Sequence, residues 1–410
     1  MASGSHRSPL RVVFLTVLLD LLGFGMVIPI LPLYAQTLLA DKPQSIRDLD
    51  TSILLAIYSL MQLVFSPIWG RLSDRYGRRP VLLISIMGSC VSQLGYALAP
   101  SFWWLVVARA VAGVCGANIT AAQAYVADVT DEKSRASGMA LLGVAMGLGF
   151  VFGPAIGGGL STLTRFGGPR LPFFIASGLA AFNFALAIPI LVEPKRLGQR
   201  SKARALTWTA LVRTVTTPRL FTLILLFFVI TFGFANLEGT FSLYLQRQFG
   251  YERTGASFLF VFIGVMMIFT QGVLLRRLAP RWGEKTLVVL GTALMALSML
   301  LLHFAAGLGS LLFAIGVMSI GNGLNGPSLT SLISRATMGD RQGGVLGVSQ
   351  SFGALARVLG PLAGGYALRF SNTMPYLVAC VAMLVATVAS AALVRQPQLP
   401  TELGAVTKSG

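Results

Sequence analysis

The sequence predicts an all-α, polytopic membrane protein whose twelve transmembrane helices form two pseudo-symmetric six-helix bundles. Composition is the first reason: of 410 residues 55% are hydrophobic and only 11% charged, with a mean hydropathy of +0.75, which does not describe a water-exposed surface. Span count is the second. A helix needs about 20 mainly apolar residues to cross a hydrocarbon core of roughly 30 Å. Such runs occur at 10–36, 51–72, 80–99, 101–125, 135–162, 171–192, 219–246, 254–276, 286–305, 308–334, 342–368 and 373–395. The third reason is an internal repeat. GRLSDRYGRRP (Gly70 to Pro80) is followed by GPAIGG (Gly153 to Gly158), and LRRLAPRWGEKT (Leu275 to Thr286) by GPLAGG (Gly360 to Gly365). Arg75 precedes Gly153 by 78 positions and Arg281 precedes Gly360 by 79. Parallel repeats of this kind are one of the symmetric plans of membrane transporters, with a substrate site near the bilayer midplane where the halves meet.

The net charge of +18 invites a nucleic-acid reading, which the location of the charges removes. Of the 32 Lys and Arg, 23 lie in the loops, the termini or the span ends on the side of the N-terminus and seven on the opposite side; Arg109 and Arg357 lie well within spans. This bias places both termini in the cytoplasm. No cleavable leader pattern precedes the first run, which is expected to be retained as span 1.

The repeat divides the chain into an N-terminal bundle (1–193), a linker (194–218), a C-terminal bundle (219–396) and a disordered tail (397–410). The linker mixes basic residues with Leu206, Trp208, Leu211 and Val212, which suits either a helix lying on an anionic leaflet or a solvated tether. Glycines crowd spans 4, 5 and 10, where small residues let helix backbones approach closely. Pro154 and Pro361, flanked by Gly153, Gly157 and Gly158 and by Gly360, are expected to bend spans 5 and 11. The three cysteines, Cys90, Cys115 and Cys380, show no paired spacing, so no disulfide framework, metal site or cofactor is expected. His6 and His303 read as tail and interfacial residues.

Ionisable residues inside a membrane are costly and usually functional. Four occur: Asp20 in span 1, Arg109 in span 4, Glu238 in span 7 and Arg357 in span 11. Asp20 is ten residues into its span, about 15 Å deep at a rise of 1.5 Å per residue. A desolvated carboxyl group holds a proton near neutrality and an approaching guanidinium releases it, so these four are the candidate proton-coupling residues. A static Asp20–Arg109 pair that fixes helix register is the other reading.

Polar and aromatic groups complete a candidate substrate cavity: Gln62, Asn118, Gln123, Asn236, Asn325 and Gln350, with Phe24, Tyr58, Phe234, Phe241 and Phe352. Asn118 and Asn325 differ by the repeat offset and are expected to face each other across the pseudo-twofold axis; each could equally join helices to one another. This mixture suits an amphipathic organic molecule. The loop Gly70, Asp74, Arg75, Gly77, Arg78, Arg79 reads as a conformational latch. Asp74 can face the positive end of a neighbouring helix and the arginines can pair with acids on adjoining inner ends. In the second copy Pro280 stands where Asp74 stood, so one principal lock is expected, holding the outward-open state.

These residues resemble the major facilitator superfamily, and within it the twelve-span drug/proton antiporters, tetracycline antiporters among them. The loop Gly70 to Pro80 matches the signature loop of that superfamily. Gly149 to Gly158 looks like the antiporter signature of span 5, Arg109 with Gly113 and Gly116 like the span 4 arginine motif, and Leu19 to Pro32 like span 1 of the tetracycline antiporters. The resemblance implies that Asp74 caps span 11 and that the loop arginines engage the end of span 4, where this chain offers Asp128. It also implies a bacterial inner membrane. Spans 8 and 9 lack the further acids of the tetracycline antiporters, so tetracycline itself is not carried over; Glu238 could substitute, or Asp20 could work alone.

The expected function is proton-coupled export of a small amphipathic organic compound by alternating access. An uncoupled or proton-coupled transporter of a lipid-like or other metabolite is the alternative. Expected partners are the small-molecule substrate, protons and membrane lipids, with the chain acting as a monomer and binding no nucleic acid. Enzymatic chemistry is not expected, since no nucleophile with a base, phosphate loop or metal cluster can be composed from the sequence.

Overall fold

A computed structural model describes the backbone of residues 7–116, 125–126, 132–191, 193, 218–336 and 342–394. Among these residues the chain is helical with no strand. The helices are α1 (Arg7–Leu38), α2 (Gln44–Tyr76), α3 (Arg78–Ala97), α4 (Phe102–Cys115), α5 (Glu132–Ser161), α6 (Leu171–Ile190), α7 (Pro218–Phe249), α8 (Arg253–Phe269), α9 (Leu275–His303), α10 (Leu308–Arg335), α11 (Gln342–Ala367) and α12 (Met374–Val394). Ten segments are long and apolar enough to cross a membrane. One of them, Arg253–His303, has 51 residues, enough for two crossings, and the shorter apolar helix Phe102–Cys115 supplies the twelfth. A π-helical turn at Thr270–Leu274 links α8 to α9, and the chain reverses inside α9 at Gly283, whose φ of 73° favours glycine.

The linker 194–218, except for the backbone of Pro218, and the tail 397–410 lie outside the described residues. We call the membrane side bearing the start of α1 the inner side.

One departure from the hydropathy pattern is at the start of α2. Its apolar run begins at Thr51, yet the helix begins at Gln44 after Pro43. The polar segment is helical because its side chains satisfy one another one turn apart: Gln44 Nε2 donates to Asp48 Oδ1 at 3.0 Å, and Thr51 Oγ1 to the Arg47 carbonyl at 2.7 Å. This extension carries Asp48 to the outer end of the interface between the halves.

Helices α1–α6 and α7–α12 form the two bundles, each with apolar clusters of its own. The repeat is visible in the packing. A Cβ at Gly153 of α5 would lie 2.7 Å from the Gly25 Cα of α1, and one at Gly360 of α11 would lie 2.8 Å from the Phe232 carbonyl of α7. Such approaches are open only to glycine and supply packing where water cannot drive association. Pro154 and Pro361 sit inside unbroken helices at these two crossings.

The halves meet chiefly through α5 with α8 and α2 with α11. Gly158 packs on Ser257 and Thr254, Gly264 packs on Val151 and Phe150, and Gly365 packs on Ser52. At the outer end Leu33 of α1, Leu243 of α7 and Leu368 at the end of α11 form a small buried cluster. This cluster joins the two halves at their outer ends.

Candidate functional site

Arg109 organises the middle of the N-terminal half. It is 5% exposed, and its guanidinium carbon lies 4.5 Å from the Tyr58 ring centre and 5.9 Å from that of Phe24. Helix α4 can bring it there because Gly113 lets α4 lie against the α2 backbone at Tyr58. The two rings are 5.6 Å apart, and Phe150 of α5 meets Phe24 edge-on at 6.1 Å. A guanidinium held over aromatic faces exchanges part of its water for the negative faces of the rings. Its Nε is buried with no hydrogen-bond acceptor.

The other three membrane-embedded charges are linked to this cluster electrostatically. Asp20 of α1 accepts a hydrogen bond of 2.6 Å from Ser89 Oγ of α3. The Tyr58 hydroxyl is within Coulombic range of Asp20, Arg109 and Arg357, and Glu238 of α7 attracts both Arg357 of α11 and Arg109 across the interface. Charges contributed by both halves thus share one electrostatic environment. Gln62 borders it, donating to the Gly116 carbonyl at 3.0 Å.

Other expected cavity residues are elsewhere. Asn236 is fully buried at the α7–α11 crossing, where a Cβ on Gly364 would come 3.1 Å from its Oδ1. Asn325 is fully buried between α9 and α10, with its amide nitrogen 3.4 Å from Met295 Sδ. Phe241 lies in the apolar core of the C-terminal half against Phe260. Phe234 packs between the two clusters of that half, and Phe352 meets Phe228 edge-on at 6.5 Å. Gln350 is exposed. Asn118, Gln123 and Asp128 lie outside the described residues, as does the Asp74 side chain.

The latch loop makes a contact that its arginines alone did not suggest. Gly77, with φ of 107°, turns the chain between α2 and α3, and the Glu193 carboxylate fits into the turn. Glu193 accepts from the Arg78 and Arg79 backbone N–H groups at 2.6 and 2.9 Å, an anion at a helix N-terminus. Arg79 Nη2 donates to the Ile188 carbonyl at 2.7 Å, and Arg78 Nη1 to Ser73 Oγ at 2.9 Å. These bonds lie within the N-terminal half. In the second copy, Glu284 beside Gly283 accepts from Ser331 Oγ at 2.6 Å and pairs with Arg335 at 3.1 Å.

One ion pair bridges the halves at the outer end. Asp48, 1% exposed, accepts from both terminal nitrogens of Arg247, the Nη1–Oδ2 bond measuring 3.0 Å, and also from Gln44 and Gln36. Its sequence signal is weak: both residues sit just beyond an apolar run, where charges are ordinary.

Comparison with known proteins agrees with this architecture. The sequence profile described as the Major Facilitator Superfamily matches residues 13–283 and 223–408. The chain belongs to the major facilitator superfamily. The tetracycline resistance protein, class B, of Escherichia coli is 30% identical over 374 residues, covering 90% of each chain. Multidrug resistance protein 1 of Bacillus subtilis (strain 168) is 26% identical over 377 residues, 92% of this chain and 94% of that one. Among solved structures, the human organic anion transporter MFSD10 (TETRAN) superimposes with a TM-score of 0.71 at 26% identity, covering 95% of this chain and all of that one. This superfamily member is accordingly a multi-pass membrane protein built as a transporter.

Proposed function

We propose that the protein is a proton-coupled exporter of small, amphipathic, drug-like organic compounds, working by alternating access with both termini in the cytoplasm. The observation that carries this reading is that Asp20, Arg109 and Arg357 act electrostatically on Tyr58, beside Phe24, while Glu238 of the other half acts on Arg357 and Arg109. Aromatic faces offer area to a planar guest, and a few charges surrounded by apolar packing offer a proton-binding group whose occupancy depends on what else is bound. Relatives named for resistance to tetracycline and to multiple drugs support export as the direction.

In this scheme Asp20 and Glu238 are the proton carriers and Arg109 and Arg357 the charges against which they exchange. Cargo and proton occupy the chamber alternately while the halves rock against each other at the α2–α11 and α5–α8 contacts. Latch, chamber and outer seal then act in sequence, the protein working as a monomer among lipids.

The test is substrate-induced proton flux in proteoliposomes, over a panel that includes a tetracycline, a cationic dye and an organic anion. One member of the panel should release protons in the wild type, and Asp20→Asn should abolish that release while leaving substrate exchange without a gradient. Substrate transport with no proton movement, unchanged by Asp20→Asn, would overturn the coupling.

A further inference from the structure

Outside the leucine seal, between the outer ends of α1, α2, α7 and α8, lies a cavity of about 510 Å³. Its floor is Leu33, so it belongs to the outer solution and not to the central chamber. Three guanidinium groups line it, those of Arg47, Arg247 and Arg253, against one carboxylate, the exposed Glu252. That excess of positive charge is unusual on the side of the protein that carries only seven of its 32 basic residues outside the spans.

The three arginines are not equivalent. Arg247 is committed to Asp48, and the neighbouring Asp50 is committed to Lys42 at 2.8 Å. Arg47 bonds only a neutral amide, the Gln44 oxygen, and its Nε is buried without an acceptor. The Arg253 Nε is likewise buried and unpartnered, and Glu252 attracts Arg253 through space from its exposed position. A buried N–H left unmatched is costly, and a guanidinium is shaped for a carboxylate. Arg47 belongs to the N-terminal half and Arg253 to the C-terminal half. Gln246 and Thr37 add neutral hydrogen-bonding groups, and Ala40 adds apolar surface above the buried Leu33.

We propose that this vestibule is a second binding site, open to the outer solution, for a small organic carboxylate. The anion is gripped by Arg47 from one half and Arg253 from the other, with its apolar body toward Ala40 and the floor at Leu33. Because a ligand that touches both halves in this arrangement stabilises it in proportion to its occupancy, the bound anion holds the outer side closed. An external carboxylate is therefore a brake on the transporter, independent of what the central chamber carries and of whether protons drive it.

Benzoate is a suitable probe. With purified full-length protein in a neutral detergent at fixed chloride and ionic strength, benzoate should raise the thermal unfolding midpoint saturably. Arg47→Gln and Arg253→Gln should each weaken its apparent affinity by about tenfold, the loss of one charge-assisted contact, while Arg253→Lys, which keeps the charge, should weaken it less. Arg357→Gln should leave it unchanged. In sealed vesicles of a chain whose three native cysteines are serine, outer benzoate should slow labelling of Phe24→Cys by an impermeant maleimide added outside. Loss of the benzoate effect in Arg357→Gln but not in the vestibule variants would place the anion in the central chamber and overturn the proposal. An equal stabilisation by sulfate, or a response to phosphatidylglycerol with none to benzoate, would also overturn it, as bulk salt or a lipid headgroup.

Discussion

The Asp48 carboxylate and the Arg247 guanidinium, 199 residues apart in sequence, form a buried two-bond ion pair that ties the first turns of α2 to the last turn of α7. Removing one member of a buried pair costs about 3–5 kcal/mol because the other charge is stranded. That cost falls only on the state in which the halves touch outside, so Asp48→Asn should shift the population toward outward-open molecules. A rise of about 100-fold in outer labelling of a cysteine at Phe24 is expected for the 3 kcal/mol end of that range. Exchanging the charges, Asp48→Arg with Arg247→Asp, should recover most of the closed population. Unaltered labelling in Asp48→Asn would show that the pair contributes nothing to closure.

At the α1–α5 crossing, Gly153→Ala should be poorly tolerated, since its Cβ would have to share space with the Gly25 backbone. Gly143→Ala on the same helix meets nothing within 4 Å and serves as the control. We expect a loss on the order of 1–3 kcal/mol for Gly153→Ala, seen as a lowered thermal midpoint and slower transport, with Gly143→Ala indistinguishable from wild type.

The Arg109–Tyr58 contact separates charge from shape. Arg109→Lys retains a cation but loses the planar group that lies over the Tyr58 and Phe24 rings, and transport should fall by at least about tenfold. Tyr58→Phe preserves the ring and should be mild, whereas Tyr58→Leu should resemble Arg109→Lys. Transport assays in everted vesicles provide the measurement; equal activity of the Lys and Arg forms would remove any role for stacking.

Glu193 makes the latch loop accountable to α6. Glu193→Ala leaves two N–H groups at the start of α3 without their anion and should lower the thermal midpoint by an amount equivalent to about 1–3 kcal/mol. Gly77→Ala should be at least as damaging, because it combines a left-handed backbone with a Cβ 2.6 Å from that carboxylate. If neither variant changes stability, the turn is not held by Glu193.

The fold was legible because its causes are written locally: apolar runs of membrane length, glycines at crossings, and a loop that occurs twice. Asp20, Arg109, Glu238 and Arg357 could be singled out because charge in hydrocarbon is expensive wherever it points. Amides and aromatics carry no such signal. Asn236, Asn325 and Phe241 face neighbouring helices, and an amide in an apolar run has the same sequence whether it faces a helix or a chamber. Ser89 and Phe150 were passed over for the converse reason, being ordinary residues made significant by proximity to Asp20 and Phe24. Asp48 was hidden differently. Hydropathy ends span 2 at Thr51, while side-chain hydrogen bonds extend the helix seven residues further and deliver the carboxylate to Arg247.

In the proposed proton-coupled cycle, the leucine cluster beneath that ion pair sets how faithfully cargo and proton move together. A ring of three apolar side chains, one each from α1, α7 and the end of α11, is thin. It stops a hydrated ion only by staying dry, as narrow hydrophobic constrictions do. Shaving one of them, as in Leu243→Ala, admits a file of water molecules through which hydronium can slip without any cargo moving. In that proposed cycle the gradient would be spent on futile leakage while the protein still folded, bound and rocked.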